Sequence, residues 1–109
     1  MQLNMSNKTI LKTIKSTVRS FLPDAKVLLF GSRARGDFNT NSDFDVLVIT
    51  SKTFPTKEKK NWRIKIKQTL VESLNVPIDI LINSEKEVSI KRELPGHTIN
   101  WAMKEGVLL

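Results

Sequence analysis

The chain has 109 residues, 39% of them apolar, with 18 Lys and Arg against 11 Asp and Glu for a formal net charge of +7, and it contains four Gly, four Pro and no Cys. That length and composition exclude the disordered, collagenous and low-complexity classes and suffice for one globular domain over 1–109 with its own core. The missing cysteines exclude a disulfide framework, a Cys-ligated zinc site and a cysteine nucleophile. No stretch approaches the roughly 20 apolar residues of a membrane span. Lys8, Lys12, Lys15 and Arg19 recur where a signal peptide would carry its apolar core, so a cytoplasmic protein is expected.

With Ser6 as N-cap, Ile10, Leu11, Ile14, Val18, Phe21 and Leu22 fall at helical spacing, and Lys8, Lys12, Lys15 and Arg19 take the opposite face. Pro23 and Asp24 end this helix. The run Val27, Leu28, Leu29, Phe30 reads as a short buried strand over Lys26 to Phe30, stopped by Gly31. Ser32 to Ser42 is polar and rich in Arg, Gly, Asp and Asn, which predicts a turn or one short helix. Asp43 to Thr50 alternates strictly, so Asp43, Asp45, Leu47 and Ile49 project from one face and Phe44, Val46 and Val48 from the other.

Pro55 suits a helix start, and Trp62, Ile66, Leu70 and Leu74 form one apolar stripe through a Lys-rich stretch. Val76 to Ile82 predicts a third strand, interrupted by the single charge of Asp79. Ser84 with Glu87 predicts a capping box at the start of a further helix, broken by Pro95 and Gly96. A last helix carries Trp101 and ends at Gly106. The order helix, strand, strand, helix, strand, helix predicts an α/β single domain, with a small mixed sheet of three or more strands flanked by helices.

Asp43, Asp45 and Asp79 sit in or beside apolar strands, where ionised groups need a compensating partner. Taken singly, each has a mild explanation: Asp43 in the turn before its strand, Asp45 paired with an Arg, Asp79 on a sheet edge. Taken together they supply hard oxygen ligands around a small volume, two at i and i+2 on one face and a third from a neighbouring strand. Magnesium suits such a set, and because it is completed by water and substrate phosphate, it points to a nucleotide or polyphosphate. The run Gly31-Ser32-Arg33-Ala34-Arg35-Gly36 offers the phosphate side: close backbone approach at Gly31, a hydroxyl and an amide at Ser32, and positive charge at Arg33 and Arg35.

Phe30-Gly31-Ser32, a spacer of ten residues, then Asp43-Phe44-Asp45-Val46, with Ile78-Asp79-Ile80 on a later strand, resembles the signature of the DNA polymerase β-like nucleotidyltransferase superfamily. The resemblance covers essentially the whole chain, and the small size is similar to the minimal nucleotidyltransferase (MNT) antitoxins of HEPN/MNT toxin-antitoxin pairs. It implies that Asp43 and Asp45 hold two magnesium ions and that Gly31 and Ser32 grip the terminal phosphates of a nucleoside triphosphate, with Arg33 and Arg35 neutralising the departing pyrophosphate. It further implies that Asp79 ligates one metal beside the attacking hydroxyl. The expected reaction moves AMP from ATP to a protein hydroxyl, with a HEPN-type toxin as partner. Larger relatives carry added domains that select a base, an RNA or a small-molecule acceptor, and none is visible here.

Two rival readings are a non-catalytic antitoxin that neutralises by contact and a nucleic-acid-binding module built on the basic stretches 8–19 and 57–67. In the second stretch Lys57, Lys59, Lys60, Arg63, Lys65 and Lys67 face the single acid Glu58, but base-stacking aromatics are scarce, with no Tyr and two Trp. Neither rival requires three strand carboxylates. His97, the one histidine, is read as a cap or packing residue, and Trp62 and Trp101 as core.

Overall fold

The computed structural model describes residues 7–109. The expected cap at Ser6 lies outside these residues. The elements are α1 (Asn7–Phe21), β1 (Lys26–Phe30), α2 (Ser32–Arg35), β2 (Phe44–Thr50), α3 (Thr56–Leu74), β3 (Ile78–Ser84), α4 (Glu85–Lys91), α5 (Thr98–Glu105) and β4 (Val107–Leu108). The four strands form one mixed sheet in the order β3-β2-β1-β4. β1 runs antiparallel to β2 and to β4, whereas β2 and β3 are parallel and joined through α3.

Strand alternation divides the core into two layers. On one face Val27, Leu29, Phe44, Val46, Val48, Ile78, Ile80 and Ile82 pack with Ile10, Ile14 and Val18 of α1 and Ile66, Leu70 and Leu74 of α3. On the other, Leu28, Phe30, Leu47 and Ile49 meet Val88 of α4 and Ile99 and Ala102 of α5. β2 is sandwiched by both layers, and Asp45 is its one residue that is not buried. No helix of the described residues is long and apolar enough to cross a membrane.

Local chemistry sets the boundaries. α3 closes at Asn75, which adopts the left-handed conformation (φ 53°) and donates its N–H to the Val71 carbonyl at 2.8 Å. β3 begins at Ile78 rather than Val76 because Pro77 has no N–H to give a ladder; its carbonyl instead accepts from Phe44 N at 2.9 Å. The capping box at Ser84 and Glu87 is complete, with Ser84 N donating to Glu87 Oε1 and Glu87 N to Ser84 Oγ. α4 ends at Lys91, before Pro95 and Gly96. His97 is the N-cap of α5, its Nδ1 accepting from Ile99 N at 3.0 Å.

Trp62 is half-buried, its ring 6.3 Å from that of Phe21 and 6.5 Å from that of Phe54. Trp101 departs from the expected core position and is 54% exposed, because Ile99 and Ala102 occupy the buried face of α5. β4 is a strand that the sequence reading lacks.

Candidate active site

β1 delivers the chain to Gly31, whose backbone (φ 75°, ψ −160°) is open only to glycine. A second reason for glycine is proximity. A Cβ here would overlap Asp45 Oδ2 and lie 3.1 Å from Asp45 Cγ, so the Asp45 carboxylate rests against the Gly31 backbone. Gly31 then caps α2, and its carbonyl accepts from Ala34 N and Arg35 N, which leaves the amides of Ser32 and Arg33 as first-turn donors. The Ser32 hydroxyl makes no hydrogen bond within the described residues.

Asp45 pairs in register with Phe30 on one side and with Asp79 on the other. Cross-strand partners project to the same face, so the Asp45 and Asp79 carboxylates are neighbours about one strand spacing apart, roughly 4.8 Å between backbones. Asp43 lies one residue before β2 and is exposed, and Asp79 is exposed on the edge strand. These two placements match the mild explanation for each taken singly. Asp45 does not, because none of the three acids has an ion pair or a side-chain hydrogen bond among the described residues.

The Asp45 carboxyl is held above its ordinary value of 3.8, first by burial and then by the charges of Asp79 and Asp43; Arg35 opposes the shift and Glu105 adds to it. Among the described residues no three His, Cys, Asp or Glu side chains converge as a ready ligand set. The arrangement is two adjacent carboxylates and an outlying third. That suits magnesium, which takes one or two carboxylates and fills its shell with water and phosphate oxygens, better than an ion caged entirely by protein.

The two arginines of the loop have different surroundings. Arg33 donates from Nε and Nη2 to the Ser42 carbonyl at 3.2 and 3.1 Å, and its guanidinium lies 4.3 Å from the ring centres of both Phe38 and Phe44. It clamps the connection between α2 and β2. Arg35 is exposed, donating from Nε to Asp37 Oδ2 at 3.2 Å and from Nη1 to Glu105 Oε1 and Oε2 at 3.0 and 3.2 Å.

Glu105 is the residue sequence reasoning missed. Its Oε1 also accepts from Gly31 N at 3.1 Å, so the last residue of α5 holds both the first amide of the loop after β1 and its exposed arginine. The signal was faint: one acid just before Gly106, 74 positions from its backbone partner. Elsewhere, the basic stretch of α3 is partly engaged within the fold, Lys59 with Glu87 at 2.6 Å and Lys65 over the rings of Phe21 and Trp62.

The model of the nucleotidyltransferase domain family matches residues 11–105. Two candidate protein adenylyltransferases of Methanocaldococcus jannaschii are similar: one is 40% identical over 76 residues, 68% of this chain and 72% of its own, and the other 31% identical over 101 residues, 93% and 86%. In a solved complex of tri-AMPylated Shewanella oneidensis HEPN toxin with MNT antitoxin, one chain superposes with a TM-score of 0.60 at 16% identity, covering 94% of this chain and 71% of that one. The matched residues run from α1 to the end of α5 and include the loop after β1, the carboxylates of β2 and β3, and Glu105, and the chain belongs to the nucleotidyltransferase domain family.

Proposed function

We propose that this nucleotidyltransferase transfers AMP from ATP to a protein hydroxyl, that it requires magnesium, and that its acceptor is a HEPN-type toxin which the modification switches off. The observation that carries the reading is the row formed by Gly31-Ser32, Asp45 and Asp79 at one end of the sheet. Asp43, Asp45 and Asp79 would hold two magnesium ions, which when bound supply Lewis-acid stabilisation of the attacking and leaving oxygens. The Ser32 hydroxyl and the amides of Ser32 and Arg33 take the terminal phosphates. Arg35 exchanges Asp37 and Glu105 for the departing pyrophosphate, and Arg33 serves by fixing the loop in place.

The acceptor class rests on likeness: the two Methanocaldococcus relatives carry the adenylyltransferase name, and the HEPN toxin of the Shewanella complex is AMPylated. A phosphodiester brings negative charge and bulk, which suffice to repel an RNA substrate from a nuclease site. The test is co-expression of a companion HEPN-type toxin with the wild type or with the Asp43→Asn, Asp45→Asn double variant. Rescue with a covalent AMP adduct on the toxin is expected from the wild type alone. Equal rescue by the double variant without an adduct moves the function to neutralisation by contact.

A further inference from the structure

Glu105 sits where helix physics disfavours an acid. The last turn of a helix carries partial negative charge, which suits a cation such as Lys104 and works against a carboxylate at the final position of α5. The cost is offset across the molecule. Glu105 Oε1 accepts from Gly31 N at 3.1 Å and from Arg35 Nη1 at 3.0 Å, and Oε2 accepts from the same Nη1 at 3.2 Å. One carboxylate thus occupies a backbone N–H and a guanidinium together, a pair of donors equally suited to a phosphate oxygen.

The two ends of this ion pair are unequally held. α5 is seated by Ile99 and Ala102 on Leu28, Phe30 and Leu47, and the Glu105 carboxylate keeps its bond to Gly31 N whether or not Arg35 is present. The Glu105 side chain is 21% exposed and that of Arg35 47%. Arg35 is therefore the member free to move. Its other partner, Asp37, lies two residues along the same loop with its side chain 62% exposed, so that pair is screened and weak. An anion arriving at Arg35 has to displace Glu105 before it gains the guanidinium.

We infer that Glu105 is a built-in competitor for the terminal phosphates: it holds Arg35 in the free protein, yields it to the nucleotide, and reclaims it as pyrophosphate departs. This rests on the reading above, in which Arg35 meets that pyrophosphate. The exchange moves one guanidinium between two anions and breaks no covalent bond. Because Gly31 N stays on Glu105 throughout, the loop keeps its position while its positive charge changes hands. Substrate and product are both bound more weakly, and the pyrophosphate complex is shorter-lived. Glu105 acts through Arg35 and is a positioning residue.

Glu105→Gln keeps an acceptor for Gly31 N and removes the charge that competes for Arg35. Calorimetric titration with inorganic pyrophosphate and magnesium, and with a non-hydrolysable ATP analogue, should give Kd values about three- to tenfold below the wild type. Asp37→Asn removes the same charge from the exposed partner and should change either by less than about twofold. Loss of a merely structural contact weakens binding, so an unchanged or raised Kd in Glu105→Gln overturns the inference, as does an equal gain from Asp37→Asn. In ¹³C,¹⁵N-labelled wild type, saturating pyrophosphate should move the Glu105 carboxyl signal, which loses Arg35, while the Gly31 amide exchanges its hydrogen no faster than before. A still carboxyl signal or a faster amide overturns the exchange. Tighter pyrophosphate binding by Glu105→Gln, with no AMP adduct from the wild type in the co-expression above, upholds the competition and refutes AMP transfer instead.

Discussion

Substituting Gly31 by Ala probes the closest packing in the candidate site. Two separate penalties apply. The backbone at φ 75°, ψ −160° is a region that L-residues enter at a cost of order 1–3 kcal/mol. The added methyl also overlaps Asp45 Oδ2, and moving a packed side chain out of its rotamer costs about 1–3 kcal/mol more. The sum, about 2–6 kcal/mol, is a large part of the roughly 5–15 kcal/mol that holds a domain of this size together. At about 4–8 °C per kcal/mol the melting temperature should fall by at least about 8 °C. Thermal unfolding followed by circular dichroism measures this, and repeating it in an Asp45→Ala background separates the two parts. There the overlap is gone and only the backbone cost remains, so the cycle should return a coupling of about 1–3 kcal/mol. Equal losses in both backgrounds, or a loss under about 0.5 kcal/mol in the wild type, would refute the packing of Asp45 on Gly31.

Asp45→Asn should abolish AMP transfer yet raise the melting temperature of the metal-free protein near neutral pH. Because burial and the charges of Asp79 and Asp43 raise the folded-state pKa above 3.8, the folded protein binds this proton more tightly than the unfolded chain. The stability so contributed is present below the ordinary carboxylate value and lost as pH rises through the raised one; a melting profile in chelator from pH 3 to 7 should lose that decline in the Asn variant. Glu105→Ala leaves Gly31 N–H without its acceptor and should cost about 1–3 kcal/mol in urea unfolding, whereas Glu105→Gln retains an acceptor and should cost under about 1 kcal/mol. Arg33→Lys keeps the charge but removes two hydrogen bonds and the stacking between Phe38 and Phe44, so limited proteolysis should cut faster within residues 36–42.

Where periodicity and local bonding decide structure, the sequence was informative. The alternation from Phe44 to Thr50 assigns each residue to the correct face, since Leu47 and Ile49 pack in one core layer and Val46 and Val48 in the other. Ser84 and Glu87 specify their helix start through bonds spanning three residues. β3, however, runs on through Asn83 and Ser84, two polar residues that read as a strand end. Both are buried because distant partners satisfy them: Lys91 Nζ donates to Asn83 Oδ1 at 2.8 Å, and Thr53 Oγ1 to Ser84 Oγ at 2.7 Å. β4 is two residues long and exists by pairing with Leu28 and Leu29, a contact that no local pattern encodes.

The candidate site follows the same division. Gly31, Ser32, Asp43, Asp45 and Asp79 are visible as residue types at a spacing, and the fold gathers them for a topological reason. β1 ends where the antiparallel β2 begins, and β3, parallel to β2, begins at that same end, so a loop after β1 and acids early in β2 and β3 must share one rim of the sheet. Arg33 and Arg35 look alike in the sequence because both are cations two residues apart. They differ only once Phe38 and Phe44 enclose the first and Glu105 receives the second. Glu105 is itself placed by Ile99 and Ala102, which seat α5 on Leu28, Phe30 and Leu47. The packing of the last helix against β1 thereby sets the position of the loop that follows β1, and this dependence is tertiary from end to end.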